Sequence, residues 1–188
     1  MKNYKITVAY DGTRYSGWQV QKCTPDTIQG KIEHVLGTLA GHPIEINGSG
    51  RTDAGVHALG QVANFHIEEH FSKKEIFEWL NRYLPKDIAV TSIEEVDDRF
   101  HSRFNAVRKT YIYRIHTSKV SNVFERKFVY DYETPLDVCN MRKAAALLIG
   151  THDFKSFCGN KKMKKSTVRT IYDIDIDDRG DEIAISYT

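Results

Sequence analysis

Apolar positions along the chain change their spacing several times, and each change marks a predicted element. Tyr4, Ile6, Val8 and Tyr10 alternate with Lys5, Thr7 and Ala9, the two-residue period of a half-buried strand. From Thr27 to Ala40 the spacing lengthens. Ile28, Ile32, Val35, Leu36 and Leu39 fall on one helical face, and Gly41 stands where a helix-ending glycine belongs. Pro43 to Asn47 is short and β-like, and Ala63, Phe65 and Ile67 alternate again. Ser72-Lys73-Lys74-Glu75 spells a capping box that opens a helix through Trp79 and Leu80 towards Tyr83, and Leu84-Pro85 stops it. Ile88 to Val96 returns as a strand. The predicted order is β-α-β-β-α-β, the split βαβ or ferredoxin-like unit.

The second half starts the same way. Lys109 to Thr117 alternates Tyr111, Tyr113 and Ile115 with Ile112, Arg114 and His116, and Phe128 to Tyr132 extends or pairs with that strand. Asp137 caps a helix predicted over Val138 to Ile149, closed by Gly150. Thr170 to Asp177 and Glu182 to Tyr187 are predicted strands around the turn Asp178-Arg179-Gly180-Asp181. The expected fold class is therefore α+β, with two ferredoxin-like halves and mostly antiparallel sheets. The expected boundaries are 1–105 and 106–188. A full second copy of the unit needs one more helix and strand, on the order of 30 to 60 residues with loops. The second half is thus expected to be incomplete, with an uncovered apolar face and an unpaired sheet edge.

Composition narrows the function classes. The chain has 188 residues, 40% hydrophobic and 28% charged, enough apolar material for a core. No run approaches the roughly 18 apolar residues of a membrane span. The N-terminus is already strand-like and lacks a signal-peptide layout. Cys23, Cys139 and Cys158 are odd in number and far apart, which disfavours a disulfide framework or a zinc-thiolate site and fits a reducing, cytoplasmic setting. The net charge of +2 hides a strong asymmetry. Arg99, Arg103, Arg108, Lys109, Arg114, Lys119, Arg126 and Lys127 face Glu125 alone, and Lys155, Lys161, Lys162, Lys164, Lys165 and Arg169 have no acid among them. From Ile171 onward the sign reverses, with six acids against Arg179. Such blocks suit either a polyanion-binding face or an ordinary solvated surface.

One segment stands apart: Gly48-Ser49-Gly50-Arg51-Thr52-Asp53-Ala54-Gly55-Val56-His57-Ala58. Its three glycines permit unusual backbone and close ligand approach, and they surround Arg51, Asp53 and His57. No G-K-[ST] follows, so it is not a phosphate-cradling P-loop. Taken in isolation, G-x-R-x-D is more simply a turn that Asp53 caps while pairing with Arg51. His66-Ile67-Glu68-Glu69-His70 has the letters of a metal motif, but it falls at a strand end before the Ser72 cap, and no metal is expected. No nucleophile elbow G-x-S-x-G occurs. Tyr111 lies among Arg108, Lys109 and Arg114, a setting that suits either a plain strand aromatic or a base-stacking platform.

The loop G-S-G-R-T-D-A-G-V-H-A resembles the active-site signature of the tRNA pseudouridine synthase A family. Further stretches resemble that family in order: Tyr10 to Gln19, Thr27 to Gly30, Leu80 to Ile88, Phe100 to Tyr113, Gly150 to Phe157 and Val168 to Ile171. The resemblance implies a cofactor-free isomerase, with no metal and no nucleotide cofactor. Such an enzyme breaks uridine's N-glycosidic bond, turns the uracil and re-forms a carbon–carbon bond. It implies two halves side by side with the active site in the cleft between them, Asp53 as the catalytic carboxylate, and Tyr111 stacking on the target uracil. Arg51 is implied near the displaced base, with Thr52, Gly55 and His57 as loop support. Arg103, Arg108, Lys109, Lys161, Lys162, Lys164 and Lys165 are the implied contacts to the RNA backbone. The implied substrate is uridine at positions 38 to 40 of the tRNA anticodon arm, bound by a homodimer. A non-catalytic RNA-binding module is the competing expectation. Family members continue past the last strand with a segment whose arginine pairs with the catalytic carboxylate. None follows Thr188, and the chain alone is expected to be weakly active or inactive.

Overall fold

The computed structural model describes residues 1–159 and 166–188. The chain divides into two compact units, Met1–Val107 and Arg108–Thr188.

In the first unit, strand β1 (Lys2–Tyr10) is followed by a loop with a 3-10 turn at Gly12–Arg14. Then come helix α1 (Ile28–Ala40), β2 (Ile46–Gly48), β3 (Ala58–Ile67), α2 (Lys73–Tyr83) and β4 (Ile88–Val96). The strands pair antiparallel in the order β2-β3-β1-β4. Tyr4, Ile6, Val8 and Tyr10 of β1 are buried on one face, as their alternation predicts. They meet Phe65 and Ile67 of β3, Ile28, Ile32 and Leu36 of α1, and Ile76 and Leu80 of α2 in one core. The predicted termini are present. The Thr27 hydroxyl accepts from Gly30 N–H, Gly41 ends α1 at φ +79°, and Ser72 and Glu75 form the reciprocal capping box of α2. Two side chains tie the helices down. Trp79 Nε1 donates to Val35 O at 3.0 Å, joining α2 to α1, and Asn81 bonds both backbone groups of Val90, satisfying part of edge strand β4.

The second unit contains β5 (Tyr111–His116), β6 (Tyr130–Asp131), α3 (Val138–Ala146), β7 (Gly150–Asp153), β8 (Val168–Ile171), β9 (Ile174–Asp178) and β10 (Glu182–Tyr187). A four-stranded sheet has the order β6-β5-β10-β9, with β5 and β6 parallel, and β7 and β8 form a separate antiparallel ribbon. Four sequence expectations change here. The helix expected to reach Ile149 stops at Ala146: Leu147 and Leu148 N–H bond only three residues back, to Ala144 O and Ala145 O. Gly150, expected to cap that helix, opens β7 at φ +111° because its backbone is taken by Ile171 across the ribbon. The strand expected over Thr170 to Asp177 is two strands in two sheets. They break at Tyr172-Asp173, whose N–H and C=O bond to Thr188 instead. The alternation of β5 does not become one buried face, since Tyr111, Ile112 and Tyr113 are all exposed.

Candidate active site

The glycine-rich loop runs from the end of β2 to the start of β3. Its entry is stapled by local bonds: Ser49 N–H donates to Val62 O at 2.8 Å, and Gln61 Nε2 donates to Gly50 O at 2.8 Å. Of its three glycines only Gly55 takes the left-handed region, at φ +79°, where a side chain is strained. The Gly55 N–H donates to Tyr15 O at 3.2 Å, and Val56 N–H closes a turn onto Asp53 O. Gly48 instead packs against the buried Trp18 indole.

The rest of the loop rests on residues 10–19, a seat that the hydrophobic pattern did not single out. Trp18 N–H donates to Thr52 O at 3.0 Å, and the Tyr10 and Thr52 hydroxyls lie 2.9 Å apart. Gly12 N–H donates to His57 Nδ1 at 3.1 Å, and that nitrogen is also 3.2 Å from Asp11 Oδ1. Gly17 has φ +91°, and a Cβ there would stand 2.6 Å from Thr52 O, so only glycine lets the two backbones meet. The seat is itself anchored. Tyr15 hydroxyl and the Arg14 guanidinium both donate to Asp87, at 2.6 Å for each shortest contact. Burial works to raise the Asp87 carboxyl, but these hydrogen bonds outweigh it and hold the group below the ordinary carboxylate range. Burial, with Asp87 beside it, pushes the Tyr15 phenol well above its usual value. The seat also caps α1: Ile28 N–H donates to Gly17 O and Gln29 N–H to Trp18 O. A tightly bonded backbone thus holds Thr52 and presents its neighbour.

That neighbour is Asp53. Within the first unit its exposed carboxylate has no hydrogen-bond or ion-pair partner among the described residues. The expected turn-and-pair arrangement with Arg51 is absent, since Arg51 Nε donates to Gln19 Oε1 at 3.1 Å. Thr52, Gly55 and His57 each make one of the loop contacts given above. A reachable carboxylate on a rigid backbone is what a nucleophile or base requires.

Other predicted residues are dispersed. Tyr111 lies in the second unit at the end of β5, exposed, with its ring stacked on Tyr187 at 5.4 Å. Arg108 covers the Tyr172 ring at 4.5 Å, and Lys109 is exposed beside it. Arg103 is exposed in a turn of the first unit. Arg114, counted in the basic run, is committed to the protein: it binds Glu182 through two nitrogens, at 2.8 and 2.7 Å, and Glu125 at 2.9 Å. Lys161, Lys162, Lys164 and Lys165 lie outside the described residues. In the stretch 66–70 each group has its own partner. His66 contacts Asp98, Glu68 contacts His42, Glu69 contacts the amino terminus, and His70 packs on Phe71. Among the described residues no group of three or more His, Cys, Asp or Glu is arranged to hold a metal, and no helix is long and apolar enough to cross a membrane.

A family model described as tRNA pseudouridine synthase matches residues 6–105 and 144–188, which include the loop, its seat and strand β10. The chain belongs to the tRNA pseudouridine synthase family. It is 53% identical over 178 residues to tRNA pseudouridine synthase A of Bacillus sp. strain KSM-64, covering 95% of this chain and 73% of that protein. It is 46% identical over 185 residues to tRNA pseudouridine synthase A 1 of Clostridium tetani, covering 98% and 76%. It is 48% identical over 176 residues to tRNA pseudouridine synthase A 2 of Bacillus cereus strain ATCC 14579, covering 94% and 72%. For this synthase family member the loop, with its seat, is the candidate active site.

Proposed function

We propose that the chain isomerises uridine to pseudouridine in tRNA, with Asp53 as the catalytic carboxylate. In the reaction the N1–C1′ bond breaks, uracil rotates and C5 bonds to C1′. The C5 proton leaves and N1 gains one, so no redox partner or cofactor enters the balance. The observation that carries this reading is the Asp53 carboxylate, exposed and without a partner among the described residues, on a loop whose backbone is bonded on both sides. Whether the group attacks and leaves or takes a proton, it has to be ionised and within reach of the nucleotide. Tyr111 stacks on the turned uracil, Arg51 contacts the RNA beside it, and Arg103, Arg108, Lys109 and the lysines at 161, 162, 164 and 165 hold phosphates. The substrate is the anticodon arm of tRNA, taken up by a homodimer in the cytoplasm, a setting that the odd number and wide spacing of Cys23, Cys139 and Cys158 support. We read both units as ferredoxin-like halves. The first has all six elements in the interleaved order β2-β3-β1-β4, and the second repeats the opening strand and helix.

Tritium release from an anticodon-arm transcript labelled at uridine C5 tests this. Asp53→Ala is expected to lower release to background while the RNA still shifts on a gel. Release by Asp53→Ala at the parent rate overturns the assignment.

A further inference from the structure

Arg51 is reached from helix α1 by a continuous line of side-chain amides, and the backbone fixes the direction of every bond in it. Val20 N–H donates to Gln29 Oε1 at 3.1 Å, so that atom is the acceptor and Gln29 Nε2 must point the other way. Nε2 indeed faces Glu33 Oε1 at 2.8 Å and Ile46 O at 3.3 Å. Ile46 N–H donates to the same Glu33 oxygen at 3.1 Å, which confirms that oxygen as an acceptor. With Gln29 Oε1 committed, Gln19 presents its Nε2 to it, at 2.6 Å. Gln19 is thereby left with only its carbonyl oxygen for the loop, and that oxygen takes Arg51 Nε–H at 3.1 Å. Both glutamines and Glu33 are half-buried, which raises the cost of turning any amide to a wrong partner.

We propose that Gln19 and Gln29 are positioning residues that aim the Arg51 guanidinium at RNA. Held by Nε–H alone, the planar group has both terminal nitrogens, with four N–H donors, without a hydrogen bond among the described residues. That leaves a fork suited to a phosphate or to the edge of a displaced base. An arginine free to swing loses this orientation, although its charge remains. The inference rests on the reading that Arg51 contacts RNA, and a mutant cycle separates the two.

The anticodon-arm dissociation constant and the single-turnover rate are measured for the parent, Arg51→Ala, Gln29→Met, the double variant and Glu33→Gln. Gln29→Met keeps the length of the side chain and removes the relay. It is expected to weaken binding or turnover about five-fold, the worth of one net hydrogen bond. The double variant is expected to match Arg51→Ala, and Glu33→Gln, which retains an acceptor for Ile46 and Gln29, to match the parent. In the ¹H–¹⁵N spectrum the Arg51 Nε–Hε signal is expected to be slow-exchanging in the parent and lost in Gln29→Met. Parent-like behaviour of Arg51→Ala in both measurements removes the Arg51 reading itself. A damaged Arg51→Ala beside an intact Gln29→Met, or additive losses in the double variant, overturns the positioning role. Should Gln29→Met not fold, Gln19→Met, further from the helix, takes its place with the same expectations.

Discussion

The two units use their sheets in opposite ways. In the first, one face of β1 and β3 is closed by two helices, and all of the large core of the described residues lies there. In the second, α3 contributes no buried residue, and Ile176, Ile183 and Ala184 are the buried apolar side chains among those described. Tyr111, Ile112, Tyr113, Tyr130 and Tyr187 on the same sheet stay exposed. Part of what orders the second unit is polar instead: Arg114 bridges β10 and the loop at Glu125, and His116 meets Asp131. The difference bears on why the candidate loop is carried by the first unit. Presenting a carboxylate in one fixed orientation requires a fixed backbone, and a packed scaffold with satisfied hydrogen bonds supplies one.

The largest effect that bears on this contrast is chemical. Asp53→Ala is expected to remove pseudouridine formation while changing stability by no more than about 0.5 kcal/mol, since the side chain is exposed. A large loss of stability on urea unfolding means that Asp53 is part of the scaffold after all. Next comes the core itself. Ile6→Ala, on the central strand, is expected to cost about 2 to 5 kcal/mol, whereas Ile112→Ala is expected to fall within about 0.5 kcal/mol. Peptide-resolved hydrogen exchange should show the same order, with β1 and β3 the slowest strands and β5 faster. Equal protection of β1 and β5 breaks the comparison. Arg114→Ala is expected to cost roughly 1 to 2 kcal/mol, because it removes the two short charge-assisted bonds of half-buried Glu182 and leaves it only Arg179, at 3.5 Å. The loss should appear as faster exchange in β5 and β10 and leave β1 untouched.

The smallest effect is a pH dependence shared by both units. Arg114 hydrogen bonds hold the Glu182 carboxyl below its ordinary range, and Asp87 is held low by Tyr15 and Arg14 against its own burial. A depressed carboxyl contributes stability that is complete above its unfolded value, about pH 4, and is lost as the pH falls through the folded value. Melting temperature is therefore expected to drop on acidification below about pH 4. Asp87→Asn should flatten only the first unit's share and Glu182→Gln only the second's. An unchanged acid profile in both variants means that other carboxyls govern it.

Much of the first unit was legible because its signals are local. Ser72 and Glu75 cap a helix through bonds within four residues, Gly41 ends one by its own φ, and the two-residue period of Tyr4 to Tyr10 survives because one face is buried. In the second unit the same kinds of pattern misled. Val138 to Ile149 has helical spacing, but β7 claims Gly150 by pairing with Ile171, a partner set by a contact distant in sequence. The loop stood out through its density of glycine, arginine and aspartate, but only the family resemblance marked Asp53 within it, since the residues taken alone read as a turn. The hydrophobic pattern gave no sign of the seat the loop rests on, because Gly17 and Trp18 act through backbone groups and close approach, which leave no periodic trace. Gln19 and Gln29 are polar residues with no motif of their own, and only the folded chain shows that they face one another.

By itself the sequence determined the order of elements in the first unit, their caps and the loop that bears the candidate carboxylate. Each of these depends on interactions among residues close along the chain. Tertiary structure alone decided that Arg51 turns to Gln19 rather than Asp53, that Arg114 is bound to Glu182 and Glu125, and that β8 and β9 part into two sheets. Those outcomes depend on which distant groups compete for the same donor or acceptor, and that competition is settled only when packing brings them within hydrogen-bond distance.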